Sequence, residues 1–475
     1  MFEIDDITCN DINMEQLYSL TNFTNSRVGG EYLYCCMKKP LLDDKKLKER
    51  DNICEKLTSD TQAKEKLENA LSKLGNDKNI SVYDCVNSLE KIPQKSVVLN
   101  VILSLTLLSL FILMLVLDSK VLMFVFIFMV PVNMIYYFIC KERIVKYINY
   151  FKFLIRFFNN TKYIVKTDVK YVKDHLSQLS QVMKEFQKIK RFSFCLLAGR
   201  KATGGFIDVF LDYLRMLFHV DIIKFYSMLK KLNGKKDSLI RAFDIVGEID
   251  LICSISSFRK SLPYYCKPDF TNEKIIDIEE AYHPYLSKPV SNTLCTKQSV
   301  LITGSNATGK STFIRCIGIN AILAQTLYTC TASYYKAPMF CIYSSMSISD
   351  NLMNNESYFV SEIKSIKRMF TTNSSNYNLY LIDELLRGTN SKERLIASER
   401  ILKSLNNQNS FCIVATHDVA LTQILSKNFD NYYFNETFEN SSISFDYKIK
   451  PGICSTTNAL KLLKVFDFPK EIWKE

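Results

Sequence analysis

The chain has 475 residues, of which 47% are hydrophobic, and a formal net charge of +12. This length and apolar content exclude a single small domain and a disordered chain, so we expect two or three domains with their own cores. The 15 cysteines are odd in number and show no C-x-x-C spacing, which argues against a disulfide framework and favours a reducing compartment with free thiols.

The positive charge permits contact with nucleic acid or an anionic membrane surface without identifying either partner. Lysines are scattered along helical stretches, and scattered lysines are typical of a solvated face. The cluster from Lys184 to Arg191 is left open between such a face and a DNA-binding surface. The first residues, Met1 to Asp6, are acidic and lack an apolar core, so we expect no signal peptide.

Two segments, residues 1–96 and 141–268, are predicted to be helical. Both are rich in Leu, Ile, Phe and Lys at three- and four-residue spacing, which is typical of helices with one buried face. Glycines such as Gly75, Gly199 and Gly234 are interpreted as breaks between helices.

Between these segments, residues 97–140 contain two long uncharged runs. Val97–Leu117 has 21 residues and Val121–Cys140 has 20, separated by Asp118-Ser119-Lys120. Each run matches the roughly 20 residues that a helix needs to cross the hydrocarbon core of a bilayer. The sequence therefore predicts a transmembrane helical hairpin; the alternative is a buried helical hairpin in a soluble core.

A hairpin places both of its flanks on one side of the membrane. These flanks are basic, with Lys91 and Lys95 before the first span and Lys141, Arg143 and Lys146 after the second. Positive flanks favour the cytoplasmic side. We therefore expect a multi-pass protein of the cell membrane whose two termini and soluble parts are cytoplasmic.

Residues 269–475 show short apolar runs that alternate with helical lengths. Such alternation predicts a parallel sheet covered by helices on both faces. The predicted strands are 297–303, 340–343, 378–383, 411–416, 431–434 and 443–449.

The first of these strands leads into the pattern G-x-x-x-x-G-K-S, from Gly304 to Ser311, and then into an apolar helical run. A strand, a glycine-rich loop and a helix in this order form a phosphate site, because backbone N–H groups and the helix N-terminus point at the anion. Lys310 is predicted to reach the β- and γ-phosphates, and the Ser311 hydroxyl to ligate Mg²⁺. This pattern indicates nucleoside triphosphate binding.

Two further strand ends carry candidate catalytic groups. Leu379–Ile382 ends in Asp383, which can hold Mg²⁺, and Glu384, which can act as the general base on water. Phe411–Thr416 ends in His417, which is either a structural histidine or a sensor of the γ-phosphate.

Taken together, Ile302–Thr312, Ser357–Glu362, Ile382–Thr389 and Ala415–Asp418 resemble the ATPase domain of the MutS mismatch-repair family. The resemblance covers about residues 275–460 and points to a membrane-anchored, MutS-like branch. His283-Pro284 and the segment Ser444–Ile453 fit the same pattern. A weaker similarity covers Asn22–Asp51, which is similar to the opening of the family's helical core.

The resemblance implies an α/β P-loop NTPase domain of ABC/MutS type, C-terminal to an all-α core interrupted by the hairpin. The triphosphate would be wrapped by Gly304, Ser305, Asn306, Ala307, Thr308, Gly309, Lys310, Ser311 and Thr312. Ser311 and Asp383 would serve Mg²⁺, Glu384 would activate water, and His417 would contact the γ-phosphate region.

The resemblance also implies a homodimer in which two ATPase domains sandwich the nucleotides. Ser357 would act in trans on the partner's nucleotide, and Arg387–Asn390 would lie at the same interface. We expect ATP and Mg²⁺ as cofactors and no other small-molecule substrate. Pro289–Asn292 is a candidate for contact with the adenine ring by position only.

The sequence also departs from the family pattern. The helical segment begins at the first residues, so we expect no mismatch-recognition domain. Phe434-Asn435-Glu436 is the sole F-x-E, and it lies in a predicted strand, so we interpret it as a chance match to the family's mismatch wedge. DNA binding is thus left open, and no residues are assigned to it.

Three functions from different classes remain. The first is a membrane-anchored, dimeric, MutS-like ATPase that moves its helical core, with DNA binding of mismatch-repair type left open. The second is an ABC-like membrane transport or signalling ATPase, although no LSGGQ-like signature is found in the sequence. The third is a nucleotide-gated scaffold in which hydrolysis is incidental and DNA has no role.

Overall fold

The computed structural model describes residues 2–76, 81–92, 96–187, 206–305, 308–346, 358–371, 376–439 and 442–453. The chain divides into two compact units. The helical unit comprises Thr24–Tyr32 and Lys56–Cys253, and the sheet unit comprises Met1–Phe23, Leu33–Glu55 and Ser254–Glu475. Each unit is described by itself.

Residues before the sheets form helices, as the three- and four-residue apolar spacing predicts. Their bounds are α1 Asp6–Ile12, α2 Met14–Thr21, α3 Arg27–Lys38, α4 Asp44–Ser59, α5 Thr61–Ser72, α6 Val82–Lys91, α7 Val98–Leu117, α8 Lys120–Val165, α9 Lys173–Lys184, α10 Phe206–Leu217, α11 Val220–Leu232 and α12 Lys236–Ser261.

The two uncharged runs form α7 and the first part of α8, joined by a short turn at Asp118 and Ser119. Asp118 has a left-handed backbone, with φ 40°, which closes the turn. The second helix does not end with its apolar run: α8 continues to Val165, a length of 46 residues. At 1.5 Å per residue this helix is about 70 Å long.

The C-terminal half of α8 lies in an aromatic core within the helical unit. Phe151 packs against Phe225, with ring centroids 4.5 Å apart, and Phe157 packs against Phe243 at 4.6 Å. These side chains are buried. Their burial stabilises the part of α8 that follows Cys140, where charged residues appear in the sequence.

The start of α3 is held by a buried carboxylate. Asp250 accepts hydrogen bonds from the backbone N–H groups of Asn25 (2.8 Å) and Ser26 (2.9 Å) and from the Ser26 hydroxyl (2.6 Å). A Cβ atom at Gly29 would lie 2.1 Å from an oxygen of Asp250. Gly29 is thus required by the close approach of α12 to α3.

The sheet unit contains a six-stranded sheet in the order β10-β9-β4-β8-β7-β6. Its strands are β4 Ser299–Thr303, β6 Phe340–Ser345, β7 Tyr377–Asp383, β8 Ser410–Ala415, β9 Phe429–Glu439 and β10 Ser442–Pro451. Strands β9, β4, β8, β7 and β6 run parallel, and β10 pairs antiparallel with β9 at one edge. The predicted α/β fold class is confirmed.

Helices cover this sheet. They are α13 Lys310–Leu327, α14 Tyr358–Lys367, α15 Ser391–Leu405 and α16 Val419–Ile424. Every residue of β4 and β8 is buried, as expected for central strands covered on both faces.

A second sheet of four strands has the order β1-β5-β2-β3. Its members are short: β1 Asp269–Phe270, β2 Ile276–Ala281, β3 Asn292–Thr296 and β5 Tyr334–Ala337. The sequence analysis does not predict these strands.

The N-terminal helix α1 also belongs to the sheet unit. The carboxylate of Asp11 accepts hydrogen bonds from the Ser344 hydroxyl (2.6 Å) and the Met346 backbone N–H (3.0 Å) at the end of β6. Arg315 of α13 donates to the Asp11 carbonyl oxygen. The structural division therefore differs from the predicted helical segment 1–96, because the first helices of that segment belong to the sheet unit.

Candidate functional site

The loop between β4 and α13 bends where its glycines permit a left-handed backbone. Gly304 has φ 144° and Gly309 has φ 106°. A Cβ atom at Gly304 would lie 2.8 Å from the Phe434 carbonyl oxygen, so the loop also needs glycine for its close approach to β9. Asn306 and Ala307, which are predicted phosphate ligands, lie outside the described residues.

Lys310, the first residue of α13, folds back across this loop. Its ammonium donates hydrogen bonds to the carbonyl oxygens of Gly304 (2.8 Å) and Ser305 (2.7 Å). The side chain is buried, which concentrates its charge inside the loop. The Thr308 hydroxyl also donates to the Ser305 carbonyl oxygen and fixes the turn before Gly309.

The parallel strands bring the predicted catalytic groups to the same sheet edge. Asp383, at the end of β7, pairs with Ala415, at the end of β8. The next residue, Glu384, has φ 59°, and its N–H donates to the Ala415 carbonyl oxygen. This left-handed backbone turns Glu384 out of the strand direction and toward the next strand end.

Both carboxylate oxygens of Glu384 have a partner. Oε1 lies 2.7 Å from Nε2 of His417, and Oε2 lies 2.9 Å from Nε of Arg387. The hydrogen bond to His417, followed by the charge of Arg387, holds the pKa of Glu384 below its ordinary value, in opposition to partial burial. Glu384 is therefore kept ionised, the state that a general base requires.

The position of His417 is set by its neighbour in sequence. Asp418 accepts two hydrogen bonds from the guanidinium of Arg394 on α15, at 2.9 and 2.8 Å. This bidentate pair joins the end of β8 to α15 and orients the turn that carries His417. The structure thus places His417 directly against Glu384.

The loop after Glu384 packs against α14. The carboxylate of Glu362, which is buried, accepts a hydrogen bond from the Arg387 N–H at 3.3 Å. A Cβ atom at Gly388 would lie 3.1 Å from the Cβ atom of Phe359. Ser357, the predicted trans-acting residue, directly precedes α14 but lies outside the described residues.

A cavity of about 600 Å³ opens beside these groups, a size suited to a nucleotide. One end is polar and is lined by Gly309, Lys310, Ser311, Thr312, Asp383, Glu384 and Arg387. The structure therefore brings the predicted phosphate loop, the two predicted magnesium ligands and the predicted base around one space.

The rest of the cavity wall comes from distant parts of the chain and mixes apolar with polar side chains. It is lined by Ala281, His283, Leu286, Lys288, Val290, Asn292, Phe434 and Tyr447. Val290 and Asn292 belong to the segment predicted by position to contact adenine.

Asn292 is fixed in this wall, since it donates to the Tyr447 carbonyl oxygen (3.0 Å) and accepts from the Ile449 N–H (2.8 Å).

His283 and Phe434 are wall residues to which the sequence analysis assigns no role in the site. Burial, with the nearby charge of Arg315, lowers the pKa of His283 to about 4, so the imidazole is neutral at pH 7. A neutral imidazole and a phenyl ring can both stack on a planar base. The aromatic residues that precede Asn292 in sequence would have been a signal for a base-binding wall. No local pattern connects them with Phe434.

The segment Phe434-Asn435-Glu436, interpreted from sequence as a chance match, lies beside the loop. Glu436 accepts a hydrogen bond of 2.6 Å from the Ser305 hydroxyl, and Phe434 lines the cavity. In the sheet unit, this segment therefore supports the loop between β4 and α13.

Residues 300–475 match the family model described as MutS domain V. Over 279 residues the chain is 29% identical to "MutS protein homolog 4" of Homo sapiens, a match that covers 55% of this chain and 29% of that relative.

It is 30% identical over 228 residues to "MutS protein homolog him-14" of Caenorhabditis elegans, covering 46% of this chain and 27% of that relative. It is 26% identical over 254 residues to "DNA mismatch repair protein MutS" of Thermus aquaticus, covering 52% and 31%. The match thus spans less than a third of these curated relatives. Over residues 300–475 the chain thus carries a domain of the MutS family, domain V.

Proposed function

We propose that this protein is a membrane-anchored, MutS-like ATPase that binds and hydrolyses ATP in the cavity of the sheet unit. The observation that carries the proposal is the convergence of Lys310, Ser311, Asp383 and Glu384 on one cavity large enough for a nucleotide. A glycine-rich turn without enzymatic function would not require a carboxylate pair at the end of β7, two strands away in the sheet.

The triphosphate occupies the polar end. Lys310 exchanges its two carbonyl hydrogen bonds for the phosphate oxygens, and the N-terminus of α13 adds its positive dipole. The base lies at the other end, between the segment that contains Val290 and the ring of Phe434. A wall that combines apolar side chains with a few polar groups favours a flat heterocycle over water.

The residues at the polar end fit a magnesium ion. The Ser311 hydroxyl and the Asp383 carboxylate line the same end of the cavity, and both are hard oxygen ligands. When bound, Mg²⁺ would neutralise charge on the phosphate oxygens. Ser311 and Asp383 would hold it.

Hydrolysis requires a water molecule to lose a proton as it attacks. Glu384 is the base that the cavity offers, because its carboxylate is ionised and lies at the polar end. His417 orients this carboxylate through its 2.7 Å contact. Arg387 competes for the other oxygen, so its ion pair must loosen before that oxygen can accept a proton.

We further propose that two copies assemble and complete each other's sites. The loop Arg387–Asn390 and α14 pack together, and α14 directly follows Ser357. A partner surface that engages this region would draw Arg387 away from Glu384. Homodimer formation would then control hydrolysis, and the helical unit would move with the cycle.

The proposed anchor is the hairpin of α7 and α8. Val98–Leu117 and Lys120–Val145 are long and apolar enough to cross a membrane, and only 17% and 11% of their most apolar windows are buried inside the structure. This exposure favours a lipid-facing hairpin over a core hairpin, whose apolar side chains would be buried. The basic flanks favour a cell-membrane protein with its termini and ATPase domain in the cytoplasm.

DNA binding of mismatch-repair type is proposed from the names of the relatives and the net charge of +12. Such binding weakens steeply with salt, because phosphate contacts release counterions. ATPase rates in detergent, with and without duplex, mismatched and branched DNA, test this part. If DNA does not change the ATPase rate and does not bind in a salt-dependent way, the DNA part of the proposal is contradicted and the ATPase part stands.

The central experiment compares Lys310→Ala with Glu384→Gln. We expect Lys310→Ala to abolish nucleotide binding. We expect Glu384→Gln to bind ATP with parental affinity and to hydrolyse it at least 100-fold more slowly, a typical loss for a general base. Fluorescent-nucleotide titration and phosphate release measure both properties. Equal losses of affinity in the two variants would contradict the assigned roles.

A further inference from the structure

The helix α10 carries an apolar surface that the described part of the chain leaves exposed. Val209, Phe210, Leu211 and Tyr213 are 53%, 55%, 42% and 54% exposed. Val209 and Phe210 share one helical face with Tyr213, from which they are four and three residues away. Large apolar side chains grouped in this way mark a contact surface.

The charged residues of the described part of α10 pair with each other. Arg215 donates to the Asp212 carboxylate at 2.9 Å, and both lie away from the face that contains Phe210. The helix thus combines a broad apolar face with a narrow polar stripe, to which Asp208 also belongs by its four-residue spacing from Asp212. Helices with segregated apolar and polar faces are suited to lie in the plane of a membrane interface.

The position of α10 is fixed by a buried polar cluster at its C-terminal end. His219, which connects α10 to α11, lies 3.1 Å from the side-chain nitrogen of Asn100 on α7. Its other ring nitrogen lies 3.1 Å from the carbonyl oxygen of Asn133 on α8. Tyr136 and Tyr137 of α8 both pack against the imidazole ring, with centroids at 5.8 Å.

This cluster places α10 at the level of the hairpin. Asn100 and Asn133 lie within the two apolar helices, near the ends that carry the basic flanks. Tyr213 is six residues from His219, which is about 9 Å along a helix. Helix α10 also packs against α8, whose side chains Ile135 and Phe138 are likewise apolar and exposed.

We propose that α10 is a third membrane-associated segment, whose face of Val209, Phe210 and Tyr213 inserts into the cytoplasmic leaflet beside the hairpin. The proposal rests on the membrane insertion of α7 and α8. A bilayer is the occupant that we infer, because α10 packs against α8 and both helices leave apolar side chains exposed. The helical unit would then contact lipid through a segment that is distant in sequence from the anchor.

Tryptophan fluorescence tests this placement. The sequence has one tryptophan, Trp473, so a Trp473→Phe background is dark. In that full-length background, three reporters are compared: Phe210→Trp on α10, Phe128→Trp on the exposed surface of α8, and Tyr334→Trp on the sheet unit. Each variant is reconstituted into phosphatidylcholine vesicles with plain or brominated acyl chains, since bromine quenches only nearby indoles.

We expect Phe210→Trp and Phe128→Trp to lose most of their emission in brominated lipid, and Tyr334→Trp to keep its emission. Bromine near the headgroups should quench Phe210→Trp more than bromine near the chain ends. Tyr213→Trp serves as a second α10 reporter if Phe210→Trp fails to fold.

Quenching of Phe128→Trp without quenching of either α10 reporter would overturn the inference and leave the hairpin intact. An α10 reporter that is insensitive to bromine and also shielded from acrylamide would show that a second copy or another protein covers this face, which likewise overturns it. If Phe128→Trp itself is not quenched, the proposed membrane anchor fails, and the inference fails with it.

Discussion

The guanidinium of Arg387 holds the carboxylate of Glu384, with Nε 2.9 Å from Oε2. The proposed base is therefore restrained by a residue three positions later in the same loop. Both side chains are partly exposed, at 39% and 25%, so water weakens the pair.

We predict that Arg387→Ala raises the basal rate of ATP hydrolysis. A partly exposed ion pair is worth up to about 1 kcal/mol, which corresponds to at most a fivefold increase, roughly, in rate. Arg400→Ala, an exposed arginine on α15, is the matched control and should leave the rate unchanged. A basal rate that falls with Arg387→Ala would show that this arginine assists the reaction rather than restraining the base.

We predict that His417→Ala shifts the acid limb of the ATPase pH profile to higher pH. The hydrogen bond from His417 is the first cause of the lowered pKa of Glu384. Glu384 acts only when ionised, so raising its pKa makes activity fall at a higher pH as the solution is acidified. The lost charged hydrogen bond, about 1.5–3 kcal/mol, predicts a rate loss of roughly ten- to hundredfold.

The measurement is the turnover number against pH at saturating ATP. A lower rate with an unmoved acid limb would mean that His417 acts on the nucleotide and not through Glu384.

We predict that His283 makes the protein less stable in mild acid. Its ordinary pKa is 6.5, and burial lowers it to about 4 in the folded state. Below pH 6.5 the unfolded chain therefore binds a proton that the folded chain does not, and stability falls with pH. At pH 5 this costs about 2 kcal/mol. Thermal unfolding at pH 7.5 and pH 5 should show a smaller pH effect in His283→Gln, and equal slopes would contradict the prediction.

We predict that Gly29→Ala destabilises the helical unit by about 1–3 kcal/mol, because the new methyl group meets Asp250. The same substitution in an Asp250→Ala background should cost much less, since its clash partner is absent. The measured quantity is the coupling between the two sites in thermal unfolding. Additive effects would show that the contact with Asp250 is not what excludes a side chain at position 29.

We predict that the protein stays with the membrane in an alkaline carbonate wash and is released by detergent. Two spans of apolar side chains have no favourable aqueous state. Sedimentation of the washed membranes followed by immunoblotting measures this. Release of the protein by carbonate would contradict an integral anchor.

The polar end of the site could be predicted because its signal is local. Gly304 to Ser311 and Leu379 to Glu384 are each contiguous, and a parallel sheet places their strand ends at one edge. The other end could not be predicted, since His283, Phe434 and Tyr447 are far apart in sequence and are joined only by tertiary packing.

Strand length explains the missed second sheet. Its strand β2, Ile276–Ala281, carries three carboxylates in six residues, and β1 has only two residues. Such segments lack the apolar run that identifies β4 and β8. The six strands of the larger sheet were found because each contains an apolar or β-branched run.

Hydropathy located the hairpin but not the true length of its second helix. The apolar run ends at Cys140, whereas α8 continues to Val165 because its inner face joins the aromatic core around Phe151 and Phe157. When a helix that is apolar on all sides becomes apolar on one side only, the residues that surround it change, but the helix does not end.

The unbroken course of α8 has a mechanical consequence. A flexible tether would let the proposed membrane span and the aromatic core turn independently, but α8 is one helix from Lys120 to Val165, and its course beyond Pro131 joins the two parts. Rotation of the aromatic core would therefore also turn the adjoining part of the proposed span, and crowding of neighbouring spans would turn the core.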